Sequence, residues 1–241
     1  MSLLSVENLV ARHGLLTAVQ SFSFAVEPGE VVAIVGANGA GKTTLFRAIA
    51  GVHAAASGVI RFAGVDVTAL PPHKRVAAGI AMVPEGRRLF PDMTVSENLR
   101  IAGENGRRGD WSLATVLDAL PQLRPLVGVP AGQLSGGQRQ AVAIGRALMS
   151  NPSLLLLDEV SLGLSPIAVE SLYETLAVLK ASGETTMIVV EQDLDRALGF
   201  ADRVICMLEG KTALEGSAAA LTRPQIAAAY FGLGAEAGKV H

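Results

Sequence analysis

The chain has 241 residues, enough for one large domain or two small ones, and half of these residues are hydrophobic. Only 17% are charged and 4% aromatic, which excludes a disordered or fibrous chain and predicts a core built from Ala, Val, Leu and Ile. The 20 basic and 22 acidic residues nearly balance, so the overall charge gives no support for nucleic acid as a partner.

The sequence has no pattern typical of secretion or of crossing a membrane. Its first nine residues include Glu7 and no basic segment ahead of an apolar stretch, so we expect no secretory signal. No apolar run approaches the roughly 18 residues needed to cross a bilayer. The single cysteine, Cys206, lies in an apolar run and cannot form an internal disulfide, so we expect a core residue in a reducing compartment.

The first buried strand and helix flank a glycine-rich loop. Val31 to Val35 is a continuous apolar, β-branched run, which is typical of a strand buried on both faces. A helix is predicted after the glycines because Leu45, Ile49 and Val52 recur at helical spacing, with Gly51 placed to end it.

The middle of the chain differs in character. The segment from Pro84 to Gly132 is rich in Arg, Pro and Gly and contains the only Trp. Leu113 to Leu120 shows helical periodicity. We interpret this part of the chain as an inserted helical subdomain.

Two further buried strands are predicted at Leu154 to Leu157 and at Met187 to Val190. Between them, Ile167 to Lys180 has apolar residues at helical spacing, and Ser165-Pro166 provide the N-cap and first-turn residues. The order strand, helix, strand with continuously apolar strands predicts a parallel sheet. The tail from Gly234 to His241 is small and polar, and we expect it to be frayed.

The loop after the first buried strand has the spacing of a phosphate-binding loop. Its glycines let backbone N–H groups turn inward around the β- and γ-phosphates of a nucleotide. Lys42 brings a positive charge to these phosphates, the Thr43 hydroxyl can ligate Mg²⁺, and Thr44 is expected to add a hydrogen bond. The nucleotide-binding residues predicted here are Gly36, Ala37, Asn38, Gly39, Ala40, Gly41, Lys42, Thr43 and Thr44.

A pair of acids, Asp158 and Glu159, ends the strand Leu154 to Leu157. Ligands of parallel sheets bind at the carboxyl ends of the strands. In phosphoryl transfer an Asp at this place holds Mg²⁺, and a second acid can orient and deprotonate an attacking water, which favours hydrolysis over transfer to a substrate. The alternative for Glu159 is a solvated residue at a strand end.

A third motif, Leu134-Ser135-Gly136-Gly137-Gln138, precedes a helix predicted from Gln138 to Met149. Ser135 is its N-cap, and the exposed N–H groups, the helix dipole and the Ser135 hydroxyl together favour an anion such as a γ-phosphate. This motif, followed by the strand that ends in Asp158-Glu159, resembles the ATP-binding cassette of ABC proteins. The resemblance covers nearly the whole chain.

The resemblance implies a fold and an assembly. The fold is an α/β P-loop ATPase with a mostly parallel core sheet, a small antiparallel β portion at the N-terminus and an inserted helical subdomain. A single domain would cover residues 1–241, with 1–83 and 150–241 as the nucleotide-binding core and 84–149 as the helical subdomain. Two cassettes would pair head to tail and pass motion to membrane subunits. The residues that complete the ATP site of the partner cassette would be Ser135, Gly136, Gly137 and Gln138.

Several positions depart from the general pattern of the family. Glu85 stands where most cassettes have Gln, and Gln192 stands where most have a His that touches the γ-phosphate. An amide can donate a hydrogen bond to that phosphate but cannot become positively charged as imidazole can. After Glu159, Val160 replaces the usual Pro, and the Asp of the dimer-crossing loop is missing. The resemblance assigns Glu159, Gln192 and Lys42 to catalysis and Thr43, Glu85 and Asp158 to Mg²⁺.

These departures together resemble one subunit type within the family. Val-Pro-Glu-Gly-Arg-Arg at 83–88, Val-Glu-Gln at 190–192 and Tyr-Phe-Gly at 230–232 resemble a cassette subunit of high-affinity branched-chain amino acid importers, which works beside a second, related cassette. Similar subunits serve importers of urea, amides and other compounds. His13 stands where a Tyr would stack on adenine; imidazole can also stack, and a solvated turn is the alternative.

The leading hypothesis is an ATP-hydrolysing subunit at the cytoplasmic face of the cell membrane that binds ATP and Mg²⁺. Its expected partners are transmembrane permease subunits, a second cassette that is the same or a different chain, and indirectly a solute-binding protein, with no nucleic acid. Phe90, Pro91 and Met93 are either part of the permease contact or part of the subdomain core.

Three other classes of protein are alternatives to this hypothesis. A soluble ABC ATPase of translation or DNA repair would be expected to have tandem cassettes or a long coiled-coil insertion. A small-molecule kinase shares the phosphate loop but has no need for Leu-Ser-Gly-Gly-Gln. A cassette that binds ATP without hydrolysing it is left open by Gln192.

Overall fold

The structure is a computed structural model that describes residues 1–104 and 106–232. The tail predicted to be frayed, 234–241, lies outside the described residues. The chain divides into two compact units, one formed by Met1–Leu70 with the chain from Ile188 onward, and one formed by Pro71–Met187.

The secondary structure alternates between strands and helices along most of the chain. The elements are β1 (Leu4–His13), β2 (Leu16–Val26), β3 (Val31–Val35), α1 (Lys42–Ile49), β4 (Ser57–Phe62), β5 (Val65–Asp66), α2 (Pro72–Ala78), β6 (Ile80–Val83), α3 (Val95–Gly103), α4 (Leu113–Ala119), two 3₁₀ segments (Pro121–Leu126 and Ala131–Gln133), α5 (Gly136–Leu148), β7 (Leu154–Asp158), α6 (Pro166–Ser182), β8 (Thr186–Glu191), α7 (Leu194–Phe200), β9 (Arg203–Leu208), β10 (Lys211–Ser217) and α8 (Arg223–Tyr230).

The first unit contains an antiparallel sheet with the strand order β2-β1-β4-β5. Strand β1 pairs with two neighbours, so that Leu4 lies opposite Val26 on β2 and opposite Phe62 on β4. Side chains on one face of this sheet, including Leu4, Phe22 and Phe62, are buried because alternate residues of a strand point to the same side. This sheet is the antiparallel β portion predicted for the N-terminus.

The same unit contains the consecutive strands β10-β9-β3-β8. Strands β3 and β9 run parallel with Ile34 opposite Ile205, whereas β10 is antiparallel to β9. All five residues of β3 are buried, which confirms the prediction of a strand covered on both faces. Cys206 is a buried residue of β9, as its apolar surroundings predicted.

Helix α1 is shorter than its sequence pattern indicated. It ends at Ile49, whereas Val52 was predicted to continue the apolar face. Gly51 has a φ of +76°, and the chain therefore leaves the helix before Val52, whose side chain is 63% exposed. The inclusion of Val52 in the helix was wrong, and the role of Gly51 near its end was right.

The second unit places strands and helices around α5. Strands β6 and β7 are parallel, with Met82 opposite Leu156. A Cβ added to Gly145 would lie 2.9–3.1 Å from side chains of α3, α4 and the residue after α4, so glycine allows close packing here. Helix α5 begins at Gly136 rather than at the predicted Gln138, because the Ser135 cap brings both glycines into the first turn.

The chain before α3 is a surface segment anchored by a buried amide. Asn98 is fully buried; it donates to the carbonyls of Phe90, Met93 and Thr94 and accepts from the Phe90 N–H at 2.9 Å. Phe90 is 47% exposed and Pro91 is also exposed, so these two residues are not part of the subdomain core. Within the described part of the chain, none of the helices is both long enough and apolar enough to span a membrane.

Candidate functional site

The phosphate loop connects the carboxyl end of β3 to the first turn of α1. Gly36, Gly39 and Gly41 all have positive φ values, which L side chains rarely adopt. A Cβ at Gly36 would lie 2.2 Å from the Met207 carbonyl oxygen, and one at Gly41 would lie 2.2 Å from the Ala18 carbonyl oxygen. The loop conformation therefore requires glycine at both positions.

Lys42 is folded into this loop. Its side chain is 4% exposed, and Nζ donates to the carbonyl oxygens of Gly36 at 2.6 Å and of Ala37 at 3.1 Å. A buried ammonium is stabilised only where it is hydrogen-bonded. The positive charge thus lies within the phosphate loop, next to the amino end of α1. An anion bound there would also interact with the helix dipole.

Two histidines lie beside the loop. His13, an exposed residue at the end of β1, is 3.1 Å from the Thr44 hydroxyl through its Nε2. Its ring lies 4.5 Å from the ring of His53, with 47° between the planes. An imidazole held beside the phosphate loop can stack its ring on a nucleobase. Nε2 can donate to or accept from the Thr44 hydroxyl, depending on the tautomer. His53 was not predicted as a neighbour, since nothing in its local sequence indicates the pairing.

Gln192 also reaches the phosphate loop. It follows β8, and its Nε2 donates to Asn38 Oδ1 at 3.2 Å. The amide thus lies at the same loop as Lys42, and its contact with a γ-phosphate stays a prediction. Glu191, the preceding residue, is 2% exposed, and one of its carboxylate oxygens accepts the Gln192 N–H at 3.3 Å. No role was predicted for this buried carboxylate from the sequence.

The two acids at the end of β7 have different environments. Asp158 is 1% exposed, whereas Glu159 is half-buried. Glu159 has a φ of +48°, a left-handed backbone that is uncommon for a residue other than glycine. Backbones of this kind persist where the surrounding structure holds them, and they cluster at functional sites.

Glu159 shares a cavity with Glu85. The cavity has a volume of about 150 Å³, enough for a few water molecules. Its lining residues are Pro84, Glu85, Gly86, Arg87, Gln140, Glu159 and Leu162. Two carboxylates that were predicted from separate motifs therefore face one space, with an amide and a guanidinium in its wall.

The glycine-rich motif before α5 forms a capping box. The Ser135 hydroxyl accepts from the Gln138 N–H at 3.3 Å, and Gln138 Oε1 accepts from the Ser135 N–H at 2.8 Å. The hydroxyl oxygen that accepts here still carries its own proton for donation. A Cβ at Gly137 would lie 2.9 Å from the Ala168 Cβ, so this glycine permits the approach of α6.

The predicted residues fall into one group in each unit. In the first unit the structure brings together His13, the phosphate loop with Lys42 and Thr44, and Gln192. In the second unit it brings Glu85 to Glu159, next to Asp158, and puts Ser135 to Gln138 at the start of α5. His53 and Gln140 were not predicted from the sequence.

Comparison with known proteins shows the family to which the chain belongs. The sequence model of the ABC transporter family matches residues 19–161. The chain is 41% identical over 233 residues to the high-affinity branched-chain amino acid transport ATP-binding protein BraG of Pseudomonas aeruginosa, covering 95% of this chain and 100% of BraG. A nucleotide-free ATP-binding cassette from an ABC transporter superposes with a TM-score of 0.84 at 30% identity, covering 95% of this chain and 99% of the other. A dimeric cassette in a post-hydrolysis state, bound to ADP and phosphate, superposes with a TM-score of 0.79 at 25% identity over 89% of this chain and 98% of that one.

Proposed function

This chain is an ATP-binding cassette of the ABC transporter family, and we propose that it hydrolyses ATP to power uptake of branched-chain amino acids through a membrane importer. The observation that carries the proposal is the phosphate loop, in which the buried Lys42 ammonium is held against the Gly36 and Ala37 carbonyls. The solute is proposed from the full-length similarity to BraG, whose name states that transport role.

The nucleotide is held by the loop and its neighbours. The backbone N–H groups of residues 36–44 surround the β- and γ-phosphates, and Lys42 and Thr44 add a charge and a hydrogen bond. His13 stacks on the adenine, as its position beside Thr44 allows. Ser135, Gly136, Gly137 and Gln138 bind the γ-phosphate of the nucleotide on the partner cassette.

The donor set also fits Mg²⁺. This ion prefers oxygen ligands, and the Thr43 hydroxyl and the carboxylates of Asp158 and Glu85 are of that kind. When bound, the ion supplies positive charge at the phosphate oxygens. The buried position of Asp158 suits a carboxylate that is used by a cation rather than by solvent.

Hydrolysis then depends on Glu159 and Gln192. The Glu159 carboxylate orients a water molecule and takes its proton as the water oxygen bonds to the γ-phosphorus. The bond from that phosphorus to the bridging oxygen breaks, which gives ADP and phosphate. Lys42 and the Gln192 amide donate to the phosphate oxygens, where negative charge develops.

The assembly follows from the same assignment. Two cassettes pair head to tail at the cytoplasmic face of the membrane. They are either two copies of this chain or this chain with a second, different cassette. The pair drives transmembrane permease subunits, which receive solute from a binding protein. Residues 84–149 act as the helical subdomain and 1–83 with 150–241 as the nucleotide-binding core. The exposed side chains of Phe90 and Pro91 support a permease contact in this subdomain.

The experiment is co-purification from native membranes with a tagged chain, followed by ATPase measurements with and without the partners. We expect two permease chains, a second cassette and a higher ATPase rate in the complex. Binding of leucine, urea and amides to the associated solute-binding protein then distinguishes the proposed solute from the alternatives. Recovery of soluble partners alone would contradict the importer assignment and favour a soluble ABC ATPase, and ATP binding without turnover in the complex would identify a binding-only cassette.

A further inference from the structure

The loop after β6 has an unusual backbone. Gly86, Arg87 and Arg88 have φ values of +76°, +65° and +46° in succession. Two of these three residues carry side chains that disfavour a left-handed conformation. A run of this kind persists only where contacts from outside the loop hold it.

Arg146 on α5 provides two of those contacts. Its Nη1 donates to the Arg88 carbonyl oxygen at 2.8 Å, and its Nη2 donates to the Arg87 carbonyl oxygen at 3.0 Å. A guanidinium has a rigid planar fork, so it can bind two neighbouring carbonyls at once. Burial lowers the pKa of Arg146, but an arginine stays charged at neutral pH.

Gln140 provides the third contact, about 1.7 turns earlier on α5. Its Oε1 accepts from Arg87 Nε at 3.0 Å, and its side chain is 3% exposed. Its Nε2 is buried without a hydrogen-bond partner among the described residues. The Gln140 amide therefore bonds to Arg87 through its oxygen, while its NH₂ group makes no hydrogen bond to the described residues.

Three other hydrogen bonds of the loop do not involve α5. The Arg87 N–H donates to the Pro84 carbonyl at 3.2 Å, the Arg88 N–H donates to the Gly86 carbonyl at 2.6 Å, and the Phe90 N–H donates to Asn98 on α3. The hydrogen bonds from Arg146 and Gln140 are added to these, and they bind the left-handed segment next to Glu85. Glu85 shares its cavity with Glu159, so a shift of this segment would change the spacing of the two carboxylates.

We propose that Arg146 and Gln140 are positioning residues that hold the Gly86–Arg88 segment in its left-handed form and so set where Glu85 lies relative to Glu159. The inference rests on the proposed function for its effect on turnover. Because α5 also begins with the Ser135-Gly136-Gly137-Gln138 motif, one helix carries the motif and holds this loop.

The test uses the purified importer complex with the variants Arg146→Met, Arg146→Lys and Gln140→Leu. We expect kcat for ATP hydrolysis to fall about tenfold or more in Arg146→Met while the KM for ATP stays within about twofold, since a small misplacement of reacting groups affects turnover strongly. Gln140→Leu and Arg146→Lys should show smaller losses of kcat in the same pattern. The matched control is Arg100→Met, which removes an exposed arginine from α3 of the same unit.

Limited trypsin digestion reports on the loop without any need for activity. The bonds after Arg87 and Arg88 should be cleaved several-fold faster in Arg146→Met and Gln140→Leu than in the wild type, because release of the left-handed segment exposes them. Cleavage after Arg107 and Arg108 in the same digest should be unchanged. A wild-type complex without ATPase activity would contradict the proposed function, while this cleavage comparison would still decide whether α5 holds the loop.

Several results would overturn the inference. One is wild-type cleavage after Arg87 and Arg88 in both Arg146→Met and Gln140→Leu. Another is faster cleavage with an unchanged kcat, which would separate the loop from turnover. Loss of the cooperative thermal transition in Arg146→Met would show that this variant is unfolded. In that case cleavage after Arg87 and Arg88 and kcat are compared with the wild type in Gln140→Leu and Arg146→Lys instead.

Discussion

At the scale of single residues, Glu159 is the group on which we propose that hydrolysis depends most directly. It is half-buried and lines the cavity together with Glu85, and its backbone is left-handed. Replacement of Glu159 by Gln removes the proton acceptor but keeps the size of the side chain. We expect kcat to fall by at least about a hundredfold, the usual contribution of a positioned general base.

ATP binding should survive this change, because the groups proposed to bind the phosphates lie in the phosphate loop. Affinity is measured by titration with a fluorescent ATP analogue, and turnover by phosphate release. Glu170→Gln, an exposed carboxylate on α6, is the matched control and should behave as the wild type. An unchanged kcat in Glu159→Gln would remove Glu159 from the role of general base.

Cys206 gives a second residue-scale prediction, on stability. Burial raises the pKa of its thiol to about 11, partly opposed by the charge of Lys42. The unfolded chain loses this proton near its ordinary pKa of about 9, so the thiol destabilises the fold as pH rises from about 9 to 11 and has no effect below that range. The free energy of unfolding should fall by up to about 3 kcal/mol more in the wild type than in Cys206→Ala.

The measurement is urea unfolding of both proteins at several pH values in reducing buffer. Other titrating groups are common to the two chains, so only the difference in slope matters. Parallel curves from pH 8 to pH 11 would contradict the burial of an ionisable thiol at this position.

The residues predicted from sequence are those whose chemistry lies in short, contiguous motifs. The phosphate loop and the Asp158-Glu159 pair could be located because the chemical role of each motif can be inferred from its residue types and spacing, without knowledge of the rest of the fold. Gln140 and Arg146 could not, since their roles depend on a left-handed backbone more than fifty residues earlier in the chain. The pairing of His13 with His53 was missed because the two residues are far apart in the sequence.

At the scale of elements, the packing around α5 leaves little room for a side chain at Gly145. A Cβ on Gly145 would lie 2.9 Å from Leu99, 3.0 Å from Val116 and 3.1 Å from Leu120, all three of them fully or almost fully buried. Overpacking of this kind costs about 1–3 kcal/mol, which exceeds the gain of about 1 kcal/mol from the better helix propensity of Ala. Gly145→Ala should therefore destabilise the protein, as measured by thermal unfolding.

Gly199 offers a matched control on α7. A Cβ there would meet nothing within 4 Å, and its φ is not positive. Gly199→Ala should leave the protein as stable as the wild type or more stable by about 0.5–1 kcal/mol. Equal stability of the two variants would contradict the close packing around Gly145.

The strands were easier to predict than the ends of helices. Continuous apolar runs predicted β3, β7 and β8 to within a residue at each end, because burial on both faces leaves a plain signal. Helix ends depend on caps and backbone geometry instead. The Ser135 cap starts α5 two residues before the predicted Gln138, and the turn at Gly51 leaves Val52 outside α1.

At the scale of the whole molecule, the fold class followed from the order of the motifs along the chain. The antiparallel sheet at the N-terminus and a mostly parallel core sheet were both expected, and β3 is parallel to β9, a strand that was not predicted individually. Assembly is different, because a single chain contains only its own half of a head-to-tail pair. The roles of Ser135 to Gln138 across a dimer, and the identity of the second cassette, therefore stay predictions.

The solute is the least predictable feature at this scale. An ATP-binding subunit acts through permease chains, so none of its own side chains needs to contact the transported molecule. Similarity to BraG over nearly the full chain supports branched-chain amino acids, and the cavity with Glu85 and Glu159 supports the ATPase that would drive their uptake.

The central claim is that ATP hydrolysis by this chain drives uptake of a branched-chain amino acid. The most direct measurement is uptake of radiolabelled leucine into proteoliposomes that contain the purified complex and its solute-binding protein. Uptake should require ATP on the side of the cassettes. It should be lost when the complex contains the Glu159→Gln variant of this chain and retained when it contains the Glu170→Gln variant. Leucine uptake that is unaffected by Glu159→Gln, or an ATPase that responds to the binding protein without any movement of leucine, would contradict it.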